Sequence, residues 1–319
     1  MSTPLYGQIS GTYVSDGAAR VLQLRFDPDY FALFNQTNFN EGEITPITKR
    51  AWWFRSLDPD SAFTVKNTIS ADTDESDFVT SGGIRLINTI TDVLEPAVAG
   101  TTITAAAPPV VTTSAAHGYA IGDVVRIFST TAMLQIAGMD FTITDVPTTT
   151  TFEIGFLDAS GFAAGATANV SRRLPFDPPD FAPKNRFITN ITQAVNAVVT
   201  LSVDHGYNVN EIISLRCTPA FGMSEVDGVQ GQILSIDTAL NTVTLDLNTT
   251  SFTAFAFPTS TIAGAGITFP QTIPVGDFDV LTGAIDNQAF IGLRLGLDVV
   301  GVADDVVHWV ATKGLFGIA

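Results

Sequence analysis

Apolar and polar residues alternate along residues 19–26 (ARVLQLRF), with Leu22, Leu24 and Phe26 on one side and Val21, Gln23 and Arg25 on the other. A period of two is that of a half-buried β-strand. Residues 30–34 and 51–54 read as further strands, with Asp27-Pro28-Asp29 and Leu57-Asp58-Pro59-Asp60 as the turns around them. Ser81-Gly82-Gly83 leads into a short apolar run at 84–87, and residues 290–297 and 306–311 read as closing strands. No segment combines the length, the period and the caps of a helix. Within the strand at 51–54 the alternation sends Trp52 and Trp53 to opposite faces, one into a core and one toward solvent or a partner.

The same pattern occurs twice in the middle of the chain. VVTTSAAHGY at 110–119 is followed by GDVVRI, Met133, Gly138, a run from Phe141, and Phe152. VVTLSVDHGY at 198–207 is followed by NEIISL, Met223, Gly228, a run from Gly231, and Val243. His117-Gly118-Tyr119 returns as His205-Gly206-Tyr207, 88 residues on, and the Met and Gly landmarks return 90 residues on. A small insertion between otherwise matched landmarks is what a surface loop tolerates. Each copy holds five or six short strands, a size that suits a compact barrel.

These elements predict an all-β, multi-domain chain: a β-sandwich-like base carrying two inserted small barrels. Residues 1–98 are expected to pair with the C-terminal strands at 263–319 to form the base. The first barrel is expected at 99–172, a stiff proline-rich linker at 173–184, and the second barrel at 185–262. The C-terminal block is too short to bury a core alone, so the N-terminal strands are its expected partner.

Composition supports this picture and narrows the function. Of the 319 residues 45% are hydrophobic and 15% charged, which fits neither disorder nor a charged helical rod. The net charge of −17 repels phosphate backbones, so no direct nucleic-acid partner is expected. The long uncharged stretches at 96–122 and 247–276 are broken by prolines and rich in Thr, Ser and Gly, so no membrane span is expected. The N-terminus MSTPLYGQIS has no basic segment followed by an apolar run, which points to assembly in a cytoplasm.

The run His117-Gly118, Gly122-Asp123, Val125, Ile127, Met133, Gly138, Phe141 and Phe152 resembles a module common in phage tail and virion proteins. That module is classified with a β-barrel half-domain, the catalytic-cysteine half-domain, of ubiquitin-activating enzymes. The second copy matches through His205, Gly206, Met223 and Gly228, and departs with Asn210-Glu211 for Gly-Asp and Gly231 for the first Phe. AWWFR at 51–55, NRFITNIT at 185–192 and HWVA at 308–311 are similar to segments of tailed-bacteriophage structural proteins. The resemblance implies a virion component, a capsid-surface (decoration) or tail protein, made in the bacterial host cytoplasm. Other virion proteins, including further copies of the chain in a homo-oligomer, are its implied partners. Ubiquitin-related chemistry does not carry over, because nothing in the chain matches an adenylation domain.

No catalytic, cofactor-binding or metal set is expected from the residues. Cys217 is the single cysteine and reads as a small buried hydrophobe in a strand. His117 and His205 precede Gly and read as turn residues rather than general bases, since no nucleophile accompanies both. The acidic run at 72–77 lacks the central Gly and distal Glu of a calcium loop and reads as a solvated loop. Trp52, Trp53, Leu315, Phe316 and Ile318 are the candidate interface residues, as large apolar groups near a strand surface and at a chain end. A non-enzymatic virion component is therefore the expected function. The alternative is a receptor-binding protein that recognises host-surface glycans through aromatic and acidic loops.

Overall fold

The computed structural model describes residues 7–39, 47–68, 73–91, 93–174, 181–259, 268–276 and 288–314. The protein is all-β and multi-domain, with strands numbered β1–β21 along the chain. It divides into two compact units, Met1–Ile90 with Phe290–Ala319, and Thr91–Ala289.

The first unit is an eight-stranded antiparallel sheet. It is built from β1 (Gly7–Val14), β2 (Arg20–Leu24), β3 (Tyr30–Asn35), β4 (Thr48–Phe54), β5 (Ser61–Thr68), β6 (Thr73–Asn88), β20 (Ile291–Leu295) and β21 (Val306–Lys313). The spatial order is β1-β21-β3-β4-β5-β6-β20-β2. Alternation sends Phe31, Leu33, Ala51, Trp53, Ala62, Ile84, Leu293, Leu295 and Val307 into one core. These side chains are almost wholly shielded from water, and among the described residues their cluster is made of residues of this unit. Val299 and Val300, in the segment between β20 and β21, join the same cluster and help to cover the buried face of the sheet.

The acidic run is not a loop. Residues 73–77 open β6, where Asp74 opposes Asn67, Ser76 opposes Val65 and Asp77 opposes Thr64. Lys49 Nζ donates to Asp74 at 2.9 Å, which offsets part of the like-charge repulsion along the strand. Asp72 lies outside the described residues.

The second unit contains two six-stranded rings. The first uses β8 (Val98–Ile103), β9 (Val110–Thr113), β10 (Val124–Phe128), β11 (Asp140–Thr148), β12 (Thr151–Ile154) and β13 (Ala168–Leu174), with β7 (Val93–Leu94) added beside β13. The second uses β14 (Arg186–Ile191), β15 (Val198–Leu201), β16 (Ile212–Arg216), β17 (Gln230–Asp237), β18 (Thr242–Leu245) and β19 (Gln271–Pro274). Around the first ring the order is β8-β9-β12-β11-β10-β13, closed by the pairing of β10 with β13. Around the second it is β14-β15-β18-β17-β16-β19. Position by position the two orders are the same.

Three boundaries differ from the sequence-based expectation. The base ends at Ile90 rather than at residue 98, because β7 and Val98 of β8 pair with β13 of the first barrel. The first barrel runs on through Leu174, because Arg172 bonds Glu95 and Asp123 while Arg173 bonds Asp140. These ion pairs hold the end of β13 to the ring; residues 175–180 of the expected linker lie outside the described residues. Gln271–Pro274 belongs to the second barrel and not to the C-terminal block of the base. It bridges β14 and β16, which would otherwise be edges with unpaired backbone groups.

Candidate functional site

The outer face of the first unit carries an aromatic field that the strand register assembles. Ala32, Trp52, Phe63 and Phe78 lie opposite one another across β3, β4, β5 and β6, and Tyr30 opposite Phe54 forms the next row. Ring centroids are 5.3 Å apart for Tyr30 and Phe54, 6.4 Å for Phe54 and Phe63, and 4.8 Å for Phe63 and Phe78. Phe63 is 43% exposed and Phe78 44%, so the field faces outward. A shallow hollow of about 670 Å³ opens on it, floored by Trp52, Phe54 and Phe63 and edged by Asp77. Arg50 lies over the rings of Phe34 and Phe39 at one margin.

Of the expected interface residues, Trp52 belongs to this field. Trp53 does not: it is 2% exposed and packs in the core, as the alternation of the strand requires once Trp52 faces out. Leu315, Phe316 and Ile318 lie outside the described residues. Phe63 and Phe78 were missed by sequence reasoning. Their alternation was visible, but their meeting with Trp52 depends on the register of three strands.

The two His-Gly-Tyr segments are equivalent turns. His117 Nδ1 accepts the Tyr119 N–H at 2.9 Å, and His205 Nδ1 accepts the Tyr207 N–H at 2.8 Å. Gly118 and Gly206 supply the positive φ between them, +68° and +62°. Tyr119 then donates to the Val170 carbonyl of β13, and Tyr207 bonds the Lys184 carbonyl and Thr272 Oγ1 of β19. Each turn thus ties a loop to the strand that closes its ring. An imidazole whose Nδ1 accepts a backbone N–H carries its proton on Nε2, so neither nitrogen offers a free lone pair to a metal or substrate. The replacement of Gly122 by Asn210 at the next turn is accommodated in kind. Both have positive φ, and both donate their N–H to β11 or β17, at Ile143 O and Ile233 O.

No protein-family model matches the chain, and no curated protein is similar to it. Among solved structures it is similar to the phage phi92 endosialidase, at 12% sequence identity with a TM-score of 0.21. The match covers 61% of this chain and 37% of that one, so the chain spans well under half the length of that protein.

His205 is almost wholly buried. Desolvation of the His205 ring, with the Arg186 and Lys184 charges adding to it against Asp204, pushes its pKa down to about 4. The folded value lies below the unfolded one near 6.5, so the stabilisation is complete above that pH and is lost as pH falls from about 6.5 to 4. The second barrel is expected to lose on the order of 3 kcal/mol over that window. Urea titrations of wild type and His205→Gln at a series of pH values check it; a slope that the substitution leaves unchanged contradicts it. Cys217 is fully buried, and burial with nearby Asp227 and Glu225 pushes its thiol up to about 11, which makes it a poor nucleophile at neutral pH. Among the described residues no three His, Cys, Asp or Glu side chains are grouped so as to hold a metal ion.

Proposed function

We propose that the chain is a non-enzymatic structural component of a tailed-bacteriophage virion, at the capsid surface or in the tail, acting through protein–protein contacts with other virion proteins and with copies of itself. The outward aromatic field on β3–β6 is the observation that carries this reading. Contiguous exposed aromatic surface is characteristic of partner sites, where Trp, Tyr and Phe anchor interfaces. The resemblance of the middle modules to those of phage tail and virion proteins supports the particle as the setting.

The double substitution Trp52→Ser/Phe63→Ser tests it. Both side chains are at least partly exposed, so folding stability is expected to change by no more than about 1 kcal/mol. Loss of two anchors is expected to weaken incorporation into particles by about thirtyfold or more. Quantitative detection of the chain in purified particles reads the outcome. Undiminished incorporation, or shortening of a capsular polysaccharide by the purified wild-type chain, contradicts the proposal.

A further inference from the structure

The two barrels of the Thr91–Ala289 unit hold each other through a directional contact. From the first barrel, Thr142 of β11 donates its N–H to the Ser202 carbonyl at 3.0 Å, and Thr142 Oγ1 accepts the Asp204 N–H at 3.4 Å. From the second, Phe187 and Phe269, with ring centroids 5.4 Å apart, pack on the core of the first. Phe269 lies 3.3 Å from where a Cβ on Gly138 would stand, so that glycine admits the ring. Ser202 is fully buried and Val203 is 2% exposed. One barrel thus offers a strand face and the other a loop flanked by two phenyl rings. Such a contact is head-to-tail and not self-complementary, and a contact of that kind can propagate.

Since both barrels share one fold, each has an outer counterpart of the half it does not use. The ladders and loop bonds identify the residues there. β10 with β11 and β16 with β17 pair in the same register, which puts Gln232 in the place of Thr142. Gly155 donates to the Thr142 carbonyl as Asp246 does to that of Gln232, so Asp246 stands in the place of Gly155. Ser114 donates to the Ala99 carbonyl as Ser202 does to that of Phe187, so Ala99 stands in the place of Phe187. The pairings of β13 and β19 likewise put Thr167 in the place of Phe269.

These positions differ in the sense that prevents docking. The Gln232 N–H, counterpart of the Thr142 donor, is taken by Asp246 Oδ1 at 2.6 Å. An incoming carbonyl would meet a satisfied donor and would have to desolvate a carboxylate, with no bond gained in return. Gly228, the counterpart of Gly138, has Arg216 Nη1 at 3.6 Å from its Cβ position, where the internal contact has the Phe269 ring. At the other end Ser114, Ala115 and Ala116 are exposed, and Ala99 and Thr167 supply no ring. The aromatic anchors that carry the energy of an interface are missing there. Stacked repeats stay soluble by the same means, a terminal module with a polar outer face.

We infer that the barrel pair is a capped two-module array. Asp246 and Arg216 shut the outer strand face, and Ala99 and Thr167 leave the outer loop without anchors, so copies of the chain do not add to one another barrel to barrel. Under the virion reading, contacts with further copies then fall to other surfaces, the outward aromatic field among them; the capping itself does not depend on that reading.

The test restores one half of the internal contact in each of two full-length chains. Gln232→Thr/Asp246→Gly reopens the strand face, and Ala99→Phe/Thr167→Phe supplies the anchors; all four positions are exposed, so both chains are expected to fold, as near-ultraviolet circular dichroism checks. In sedimentation velocity each is expected to match wild type by itself, and their mixture is expected to form an additional one-to-one complex. Ala115→Arg, added to the chain with the new rings, puts a long charged side chain on the loop and is expected to abolish that complex. Amide hydrogen exchange reads the cap separately: Asp246→Gly alone is expected to speed exchange at Gln232 by about tenfold or more. No complex in the mixture, a complex that survives Ala115→Arg, or unchanged exchange at Gln232 overturns the inference. So does a wild-type oligomer that Ala115→Arg disperses, because copies would then already dock barrel to barrel.

Discussion

Replacing residues 90–289 with an Asn-Gly turn is expected to leave a folded, cooperatively melting protein made of the two terminal segments. β6 and β20 are antiparallel neighbours paired through Asn88 and Ile291. One residue further on, Thr89 N donates to the Phe290 carbonyl at 2.9 Å and Phe290 N donates to Thr89 Oγ1 at 2.8 Å. The chain thus leaves and re-enters the sheet at what is the end of a hairpin, which a two-residue turn closes. Residues 1–90 alone are expected to be unfolded. They lack β21, which lies between β1 and β3, and β20, which lies between β6 and β2. Their core also loses Leu293, Leu295, Val299, Val300 and Val307, all at most 1% exposed. At about 1.5–3 kcal/mol for each, that loss is comparable to the whole ~5–15 kcal/mol stability of a domain. Near-ultraviolet circular dichroism and thermal melts of the two proteins decide it: a cooperative melt from 1–90, or none from the joined chain, would be inconsistent with this architecture.

Gly222→Ala is expected to destabilise the second barrel by about 3 kcal/mol or more. Gly222 ends the 3₁₀ turn Pro219–Phe221 at φ 84° and ψ −90°, a region that residues with a Cβ rarely enter. A Cβ there would stand 2.2 Å from the Ala254 carbonyl oxygen. That oxygen is backbone, in a segment fixed by the Ala256 N–H on the Phe221 carbonyl and by the stacking of Phe255 on Phe221. Relief of the collision would therefore disturb the core ring itself. Gly118→Ala is the control: φ is +68° but nothing lies within 4 Å of a Cβ, so only the conformational cost of about 1–2 kcal/mol applies. Urea denaturation of both variants measures the difference, and equal losses would show that the close approach to Ala254 does not matter.

The strands were legible where neighbours in sequence decide the structure. The alternation at residues 19–26 is β2, with Leu22 and Leu24 in the core, and the apolar runs near the C-terminus are β20 and β21. His117 and His205 could be matched as turn residues because the following Gly and the period of the flanking runs are local properties. The acidic run read as a loop by its charge alone, since the β5 partner strand and Lys49, which make it a strand, are set by pairing.

Beyond that range the tertiary structure decided. A period of two says that Trp52 and Trp53 face opposite ways, but only the face on which the eight-stranded sheet gathers its core determines that Trp53 is inside. The assignment of Gln271–Pro274 to the second barrel follows from two strand edges that needed a partner, not from its own four residues. The aromatic field and the contact between the barrels join residues from separate strands whose register and closure no local pattern encodes. Side-chain direction is a property of consecutive residues and can be read from them; which distant strand satisfies an open backbone edge is settled only when the whole chain competes for it.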